Sequence, residues 1–184
     1  ALAPLIARYS PCAAKLNELP YATVWIVNMG FNKPVLRPKG FGYLVHPPLA
    51  SPVLGCVWDS SLFPDHNRHP NQTRLTMMLG GSRHPEIAEL SEPRVITHAI
   101  QAIRDHLKIR EEPCVIQAKK AQSAIPQYEV GYGIWKRKLH ETLTRISPRL
   151  ILSGSAWSGV SINECVTQAA ELADEVQSLL NGSL

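Results

Sequence analysis

The segment SGSAWSGVSINEC, residues 153–165, carries residue types that could bind an anion or a carbonyl group gathering negative charge. Its two glycines and four serines stand between a short apolar run and the start of a helical pattern. Glycine lets a ligand approach the backbone closely, and the free N–H groups at a helix N-terminus favour negative charge. On local chemistry alone, however, such a turn is more often only a tight connection between two elements.

Other residue types that could do chemistry are interpreted as unreactive. His66, His69 and His84 could ligate a metal, but no cysteine or carboxylate is spaced to complete a tetrahedral set, so we expect a solvated loop and no metal. The serines of residues 153–161 lack a nearby histidine and a Gly-x-Ser-x-Gly turn, which argues against serine-hydrolase chemistry. The four cysteines form no Cys-x-x-Cys pair and are interpreted as buried thiols: Cys12, Cys56, Cys114 and Cys165.

The composition of the chain excludes several classes of protein. Its 184 residues are 45% apolar and 18% charged, which is typical of a globular protein. The net charge is +4, and the basic residues are scattered rather than interleaved with aromatics, so we expect no nucleic-acid partner. The longest apolar run, Val24 to Val27, is far too short to span a bilayer. The cations of residues 136–138 are interpreted mainly as a solvated helix face, although they could attract carboxylates or lipid head groups.

The elements that must position residues 153–165 are predicted from periodicity. Four segments rich in β-branched, aromatic and alternating apolar residues predict an antiparallel sheet: residues 21–31, 41–45, 53–59 and 74–81. Apolar residues at helical spacing predict a helix over 93–107, with Ser91 and Glu92 as its cap. A short helix is expected after Pro11, ending at Pro20.

The second half of the chain is predicted with less regular patterns. Residues 114–132 indicate a strand, a turn and an extended segment around Pro126, followed by a helix from about Trp135 to Arg145. Residues 149–154 predict a strand that leads through a turn into a long helix from Val160. The apolar residues on one face of that helix are Val166, Ala169, Ala170, Ala173, Val176 and Leu180.

Five motifs, in order and spacing, resemble the carboxyl-terminal part of the protoporphyrinogen oxidases: GFGYLV, LGCVWDSSLFP, RLTMMLGG, AIPQY and GVSINEC. This family belongs to the FAD-dependent, amine-oxidase-like flavoproteins, and the resemblance runs from about Tyr21 to Leu180. It implies an α+β fold, with the antiparallel sheet of a substrate domain followed by the last strand and helix of a Rossmann-like FAD-binding domain. Residues 1–145 would belong mainly to the first and residues 146–184 to the second.

The resemblance also implies the site residues. Cofactor contacts to FAD are expected from the turn and the start of the last helix, namely Gly154, Ser155, Val160, Ser161 and Ile162. An apolar substrate pocket beside the flavin is expected to be lined by Phe41, Gly42, Leu44 and Met78. Without the resemblance these strand residues would be taken as core, and a one-residue slip would exchange Met77 for Met78. No catalytic side chain is implied, because the flavin carries the chemistry.

The activity implied by the resemblance is oxidation of protoporphyrinogen IX to protoporphyrin IX in haem biosynthesis, by hydride transfer to flavin N5 and reoxidation by dioxygen. The family's Gly-x-Gly-x-x-Gly fingerprint and the arginine expected to hold a propionate do not occur in this sequence. We therefore expect a fragment that lacks the amino-terminal FAD fingerprint and is inactive alone. AIPQY and GVSINEC are closer to the animal form, which implies peripheral association with the mitochondrial inner membrane, and a homodimer is compatible with the family. The alternatives are a related flavin amine oxidase or desaturase, or a non-catalytic fragment that acts as a binding module.

Overall fold

The computed structural model describes residue 6, residues 11–47, residue 49, and residues 51–147, 149–157 and 159–182. The chain divides into two compact units. The sheet unit is Ala22–Ala124, and the helical unit joins Ala1–Tyr21 to Ile125–Leu184. The predicted boundary at residue 145 separates substrate-binding residues from cofactor-binding residues, whereas the two compact units are defined by packing alone. The predicted boundary therefore stays a prediction.

The strands form one five-stranded sheet in the order β2-β3-β4-β1-β5. The pairs β1–β4, β2–β3 and β3–β4 are antiparallel. Cys114 and Ser123, before and within β5, donate hydrogen bonds to Gly30 and Thr23 of β1, so β5 is antiparallel to β1 as well. The predicted α+β class with an antiparallel sheet is therefore confirmed. The bounds are β1 Tyr21–Phe31, β2 Gly42–Leu44, β3 Val53–Val57, β4 Thr73–Gly80 and β5 Val115–Pro126.

Four α-helices and three short 3-10 helices accompany the sheet in the described part of the chain. The α-helices are α1 Asp59–Leu62, α2 Glu92–Leu107, α3 Tyr132–Ile146 and α4 Ile162–Leu180. The 3-10 helices are Pro11–Asn17, Pro64–His66 and Pro85–Glu89. The predicted helices over 93–107 and 135–145 are confirmed, and the predicted short helix after Pro11 is a 3-10 helix. None of the described helices is both long enough and apolar enough to cross a bilayer.

Alternation along the strands gives the sheet a buried face and an open face. On β1 and β4, Val27, Met29, Leu75 and Met77 are almost fully buried, while the residues between them are half-buried or exposed. The buried face packs with α2, whose apolar stripe belongs to the same core: Val95, Ala99, Ala102 and Ile103. Burying one face of a sheet fixes its register, since a slip of one residue would exchange the two faces.

Two segments differ from their prediction. Residues 115–126 form one continuous edge strand, although a strand, a turn and an extended segment were expected. The edge position explains this, because an edge strand tolerates exposed polar residues and a terminal proline. The strand expected over residues 149–154 is absent: none of these described residues pairs with a strand, and a strand requires a ladder partner. Leu150 and Leu152 instead pack into the core of the helical unit.

The last helix forms as predicted, but its apolar face is not buried. Within the helical unit, the half-buried residues of α4 are Cys165, Gln168, Leu172 and Leu179. The predicted apolar face lies beside them on the helix and is exposed at all six positions: Val166, Ala169, Ala170, Ala173, Val176 and Leu180. A surface helix normally turns its apolar stripe toward a core. Nothing in the helical unit's described residues covers this stripe.

Candidate functional site

The register of the sheet decides which of the two adjacent methionines is available to a ligand. Met77 is 0% exposed and lies on the buried face, whereas Met78 is half-buried and lies on the open face. Met78 pairs with Ile26 of β1 on one side and with Gly55 of β3 on the other. Gly55 in turn pairs with Leu44 of β2. Four residues therefore form one row across the open face, called here the apolar row: Leu44, Gly55, Met78 and Ile26.

Two glycines beside the apolar row lie where neighbouring strands leave no room for a side chain. Gly42 has a φ of +150°, and a Cβ added to it would lie 2.2 Å from the carbonyl oxygen of Cys56. A Cβ added to Gly55 would lie 2.5 Å from the Tyr43 carbonyl oxygen. Neither position can hold a side chain without backbone movement. These glycines therefore allow the backbones of β2 and β3 to approach each other closely beneath Leu44.

Three of the four predicted substrate residues share this face. Gly42 lies one row further along the strands, since it pairs with Val57 as Leu44 pairs with Gly55. Leu44 is 87% exposed, and Phe41, which precedes β2, is 65% exposed. Neither is a core residue, so the interpretation of these two side chains as ordinary core is wrong. The role of all four in binding substrate stays a prediction.

A polar row that the sequence analysis did not single out lies next to the apolar row. The row crosses four strands: Gly42 of β2 pairs with Val57 of β3, Val57 pairs with Thr76 of β4, and Thr76 pairs with Asn28 of β1. The Thr76 hydroxyl lies 2.8 Å from Asp59 Oδ2 and 2.8 Å from Asn28 Oδ1. The alternation within RLTMM already contained this signal, because every second residue from Met78 back to Arg74 shares its face.

The glycine- and serine-rich turn is held by two tyrosines of the helical unit. The hydroxyl of Tyr128 donates to the Ser155 carbonyl oxygen, and that of Tyr132 donates to the Ala156 carbonyl oxygen. The two rings stack with centroids 4.8 Å apart and an angle of 13° between their planes. The turn is closed by the Trp157 N–H, which donates to the Gly154 carbonyl at 2.8 Å. These tyrosines support the turn. In the sequence, the only indication that they lie together is their spacing of four residues.

Burial keeps both tyrosine hydroxyls protonated. It raises the pKa of Tyr132 to about 12, with a further contribution from the neighbouring Tyr128. Burial is also the main cause that raises the pKa of Tyr128. A phenol with a raised pKa remains a hydrogen-bond donor at neutral pH. Both hydroxyls can therefore donate to the carbonyl oxygens of Ser155 and Ala156 at neutral pH.

The N-terminus of α4 is closed by a capping box that uses part of its donor capacity. The Ser161 side chain accepts from the Glu164 backbone N–H at 3.1 Å, and the Glu164 carboxylate accepts from the Ser161 N–H at 3.0 Å. The hydrogen bond from the Ser161 hydroxyl is the main cause that lowers the pKa of Glu164, so this carboxylate is charged at neutral pH. No described residue accepts from the backbone N–H groups of Ile162 and Asn163. Of the N–H groups at the start of this helix, those of Ile162 and Asn163 are therefore the ones left to donate to a ligand. The negatively charged carboxylate of Glu164 lies next to them.

Comparison with known proteins identifies the family. The family model described as flavin containing amine oxidoreductase matches residues 2–177, nearly the whole chain. The chain belongs to this family. The description of this family names its members as flavin-containing oxidoreductases. Two curated relatives, both named protoporphyrinogen oxidase, are the proteins of Schizosaccharomyces pombe, 32% identical over 176 residues, and of Homo sapiens, 31% identical over 178 residues.

The alignments cover most of this chain and a smaller part of each relative. They span 90% of the chain and 35% of the S. pombe protein, and 94% of the chain and 37% of the human one. The coproporphyrinogen III oxidase of Bacillus subtilis is 22% identical over 172 residues and is covered to 36%. A crystal structure from Exiguobacterium sp. 255-15, provisionally named a protoporphyrinogen oxidase, superposes with a TM-score of 0.75 at 19% identity, covering 96% of this chain and 39% of that one. The chain therefore spans about a third of the length of the curated relatives it matches.

The residues at the turn and at the start of α4 have features that fit the polar edge of a flavin. A Cβ added to Gly154 would meet nothing within 4 Å, so the space beside the turn is open. The N–H groups of Ile162 and Asn163 would suit hydrogen-bond acceptors such as those on a flavin ring. The negative charge of the Glu164 carboxylate disfavours a second negative charge at this end of the helix, because like charges repel. The assignment of Gly154, Ser155, Val160, Ser161 and Ile162 to the cofactor stays a prediction.

The remaining candidate residues from the sequence have local explanations. His66 stacks on Phe63, and Nδ1 of His84 lies 2.9 Å from Glu86 Oε1. Cys56 is buried, and burial together with the nearby Asp59 raises the pKa of its thiol to about 12. The interpretation of the cysteines as buried is wrong for Cys114, which is exposed on the edge of the sheet, and Cys165 is only half-buried. The side chain of Cys12 lies outside the described residues.

Proposed function

We propose that this chain is the carboxyl-terminal part of a FAD-dependent oxidase that converts protoporphyrinogen IX to protoporphyrin IX in haem biosynthesis, with dioxygen as the electron acceptor. The proposal rests on family membership and on the names of the relatives. In this function the open face of the sheet holds the bulky, largely apolar macrocycle, and the turn and helix start of the helical unit hold the cofactor. The flavin, when bound, would supply the successive two-electron oxidations that this conversion requires, and dioxygen would reoxidise it after each one.

The observation that carries the proposal is the apolar row. It places an exposed leucine and a half-buried methionine in register over a glycine, on a surface that the protein's own core leaves open. Exposed apolar side chains grouped in this way mark a binding surface more often than chance. A porphyrinogen offers a large apolar area and few hydrogen-bonding groups, so contacts with Leu44 and Met78 would supply most of its binding energy.

The residues that would hold the cofactor act by donating hydrogen bonds and by leaving room. The N–H groups of Ile162 and Asn163 would meet acceptor atoms on the flavin edge, and Gly154 would let the ring approach the turn. Tyr128 and Tyr132 would keep the turn in place through its carbonyl oxygens. No described residue in these two regions needs to act as a general base.

The test uses the full-length polypeptide that contains this chain, purified with its flavin. Protoporphyrinogen IX, coproporphyrinogen III and a set of aliphatic amines are each supplied, and porphyrin fluorescence and oxygen uptake are followed. We expect protoporphyrin to form and the other substrates to be turned over at least about tenfold less efficiently. Preferred turnover of an amine, or of coproporphyrinogen III, would replace the proposed substrate, and an absence of bound flavin would favour the non-catalytic alternative.

We further propose peripheral association with the mitochondrial inner membrane. The support is the resemblance to the animal form together with a partly exposed basic segment on α3, Lys136 to Lys138. Cations at a surface attract anionic lipid head groups by about 1 kcal/mol each. Subcellular fractionation and flotation with cardiolipin-containing vesicles test this, and recovery in the matrix without vesicle binding would contradict it.

A further inference from the structure

A cleft of the sheet unit lies at the polar end of the open face. It has a volume of about 550 Å³ and is formed by the end of β1, the start of β4 and the start of β5. Its polar lining includes the side chains of Asn28, Asp59, Arg68, Arg74, Thr76 and Gln117. Two of them are cations and one is an anion, so the cleft carries a net positive charge. Neither the family match nor the predicted site residues assign a role to it.

Arg74 is held in the cleft in a fixed position. Its Nε donates to Asn67 Oδ1 at 2.9 Å, and its Nη2 donates to the Phe63 carbonyl oxygen at 2.9 Å. Asn67 is itself fixed, because its Nδ2 donates to the Gln72 carbonyl oxygen. No described residue accepts from Nη1 of Arg74. A half-buried guanidinium with unused donors, held by its neighbours, is suited to a carboxylate because little side-chain entropy is lost on binding.

The position of Arg74 relative to the apolar row sets the kind of ligand. Arg74, Thr76 and Met78 are alternate residues of β4 and lie on the same face. Four residues of extended strand separate Arg74 from Met78, or about 13 Å between their Cα atoms. A ring lying on Met78 and bearing a three-carbon acid side chain can therefore place its carboxylate near the guanidinium. A ligand that is apolar at one end and acidic at the other matches this surface.

We propose that this cleft is a carboxylate subsite in which Arg74, assisted by the exposed Arg68, pairs with one propionate of the tetrapyrrole whose ring lies on the apolar row. The other propionate is left to the arginine that the resemblance implies and this sequence lacks. This inference rests on the proposed function. Asp59 does not cancel the site, because its carboxylate is engaged with the Thr76 hydroxyl and leaves one positive charge in excess. The same aspartate and Asn28 present acceptor oxygens on the ring side of Arg74, where pyrrole N–H groups could donate.

The experiment measures binding of the stable product as well as turnover, with full-length holoenzyme. Calorimetry gives the Kd of protoporphyrin IX and of its dimethyl ester, and kinetics give KM and kcat for the two corresponding porphyrinogens. We expect wild-type enzyme to bind the free acid about ten- to a hundredfold more tightly than the ester, as a charge-assisted hydrogen bond allows. Arg74→Gln should weaken binding of the acid by a similar factor, leave the ester unchanged, and raise KM more than it lowers kcat.

Three further variants separate recognition of a carboxylate from a structural role of Arg74. Asn67→Ala removes one bond to the guanidinium but keeps its charge, so most of the acid preference should remain. Arg94→Gln removes an exposed arginine on α2, which packs on the opposite face of the sheet, and should change nothing. Arg74→Lys keeps the charge without the planar fork and should retain part of the preference.

Two results would overturn the inference. Equal affinity of wild-type enzyme for acid and ester would remove the carboxylate subsite even if no variant folds, while turnover of both would leave the proposed function standing. An Arg74→Gln enzyme that loses affinity for acid and ester alike would show that Arg74 only holds residues 63–67 in place. Wild-type enzyme that neither oxidises protoporphyrinogen nor binds protoporphyrin would overturn the proposed function first, and this subsite with it.

Discussion

Met77 and Met78 are neighbours in sequence and have opposite roles, which makes them a matched pair at the residue scale. Met77→Ala should lower the free energy of unfolding by about 2–5 kcal/mol, because its side chain is fully buried. Met78→Ala should cost less than about 1 kcal/mol and instead weaken substrate binding, since its side chain lies on the open face. Urea unfolding and KM measurements on the full-length protein check both expectations. Equal destabilisation by the two substitutions would contradict the register of β4.

The same pair shows what sequence can give at this scale and what it cannot. The alternation of RLTMMLGG predicts that one methionine is buried, but a strand pattern is satisfied by either register until the partner strands are known. Gly55 and Ile26 settle it by pairing with Met78. Thr76 and Arg74 follow from Met78 by simple alternation. Asp59 does not, because it reaches Thr76 only through the turn after β3.

At the scale of one element, the capping box of α4 predicts a measurable change. Ser161→Ala removes the side chain that accepts from the Glu164 N–H and should lower the free energy of unfolding by about 1 kcal/mol. Ser178→Ala, at an exposed position near the end of the same helix, serves as the control and should have little effect. Thermal unfolding of the full-length protein measures both, and an unchanged midpoint for Ser161→Ala would show that the box is not formed.

The charge of Glu164 gives the same cap a pH dependence with a defined sign. Its pKa is lowered in the folded state, chiefly by the Ser161 hydroxyl, so its stabilising effect is present above the unfolded pKa of about 4.3. The effect is lost as the pH falls through the lower folded value. Wild-type protein should therefore be more stable than Glu164→Gln at pH 7, and the two should converge below about pH 4. A difference that grows on acidification would reverse the assigned direction.

Elements with strong local signals were predictable, and those that depend on neighbours were not. The β1 strand has the predicted bounds, residues 21–31, because the segment is rich in β-branched and aromatic residues. The β5 strand was broken up in prediction because its polar segment, KKAQS, is tolerated only at an edge. Residues 149–154 have strand-like composition, yet strand structure also needs a partner that composition cannot supply. The stacked tyrosines at 128 and 132 were missed because a turn and a helix must first bring them together.

At the scale of the whole molecule, the exposed apolar stripe of α4 is relevant to whether this segment is stable without further protein packed against it. Val166 is 63% exposed, Val176 is 41% exposed and Leu180 is 78% exposed, while polar residues cover another side of the same helix. The curated relatives are nearly three times as long as the matched segment. We propose that the remainder of the same polypeptide packs on this stripe. Such packing would explain why an amphipathic helix turns apolar residues away from the core it already contacts.

A single substitution should then have opposite effects in the 184-residue segment and in the full-length protein. In the segment alone, Val166→Glu should reduce self-association in gel filtration and binding of a hydrophobic dye, because it places a charge on an exposed apolar stripe. In the full-length protein it should lower the free energy of unfolding by about 2 kcal/mol or more and reduce the bound flavin, because the charge would be buried. Thr167→Glu adds the same charge on the polar side of α4 and should do neither. If Val166→Glu is silent in the full-length protein, the stripe is not an internal interface, and one FAD bound per isolated segment would show that the segment is complete without it.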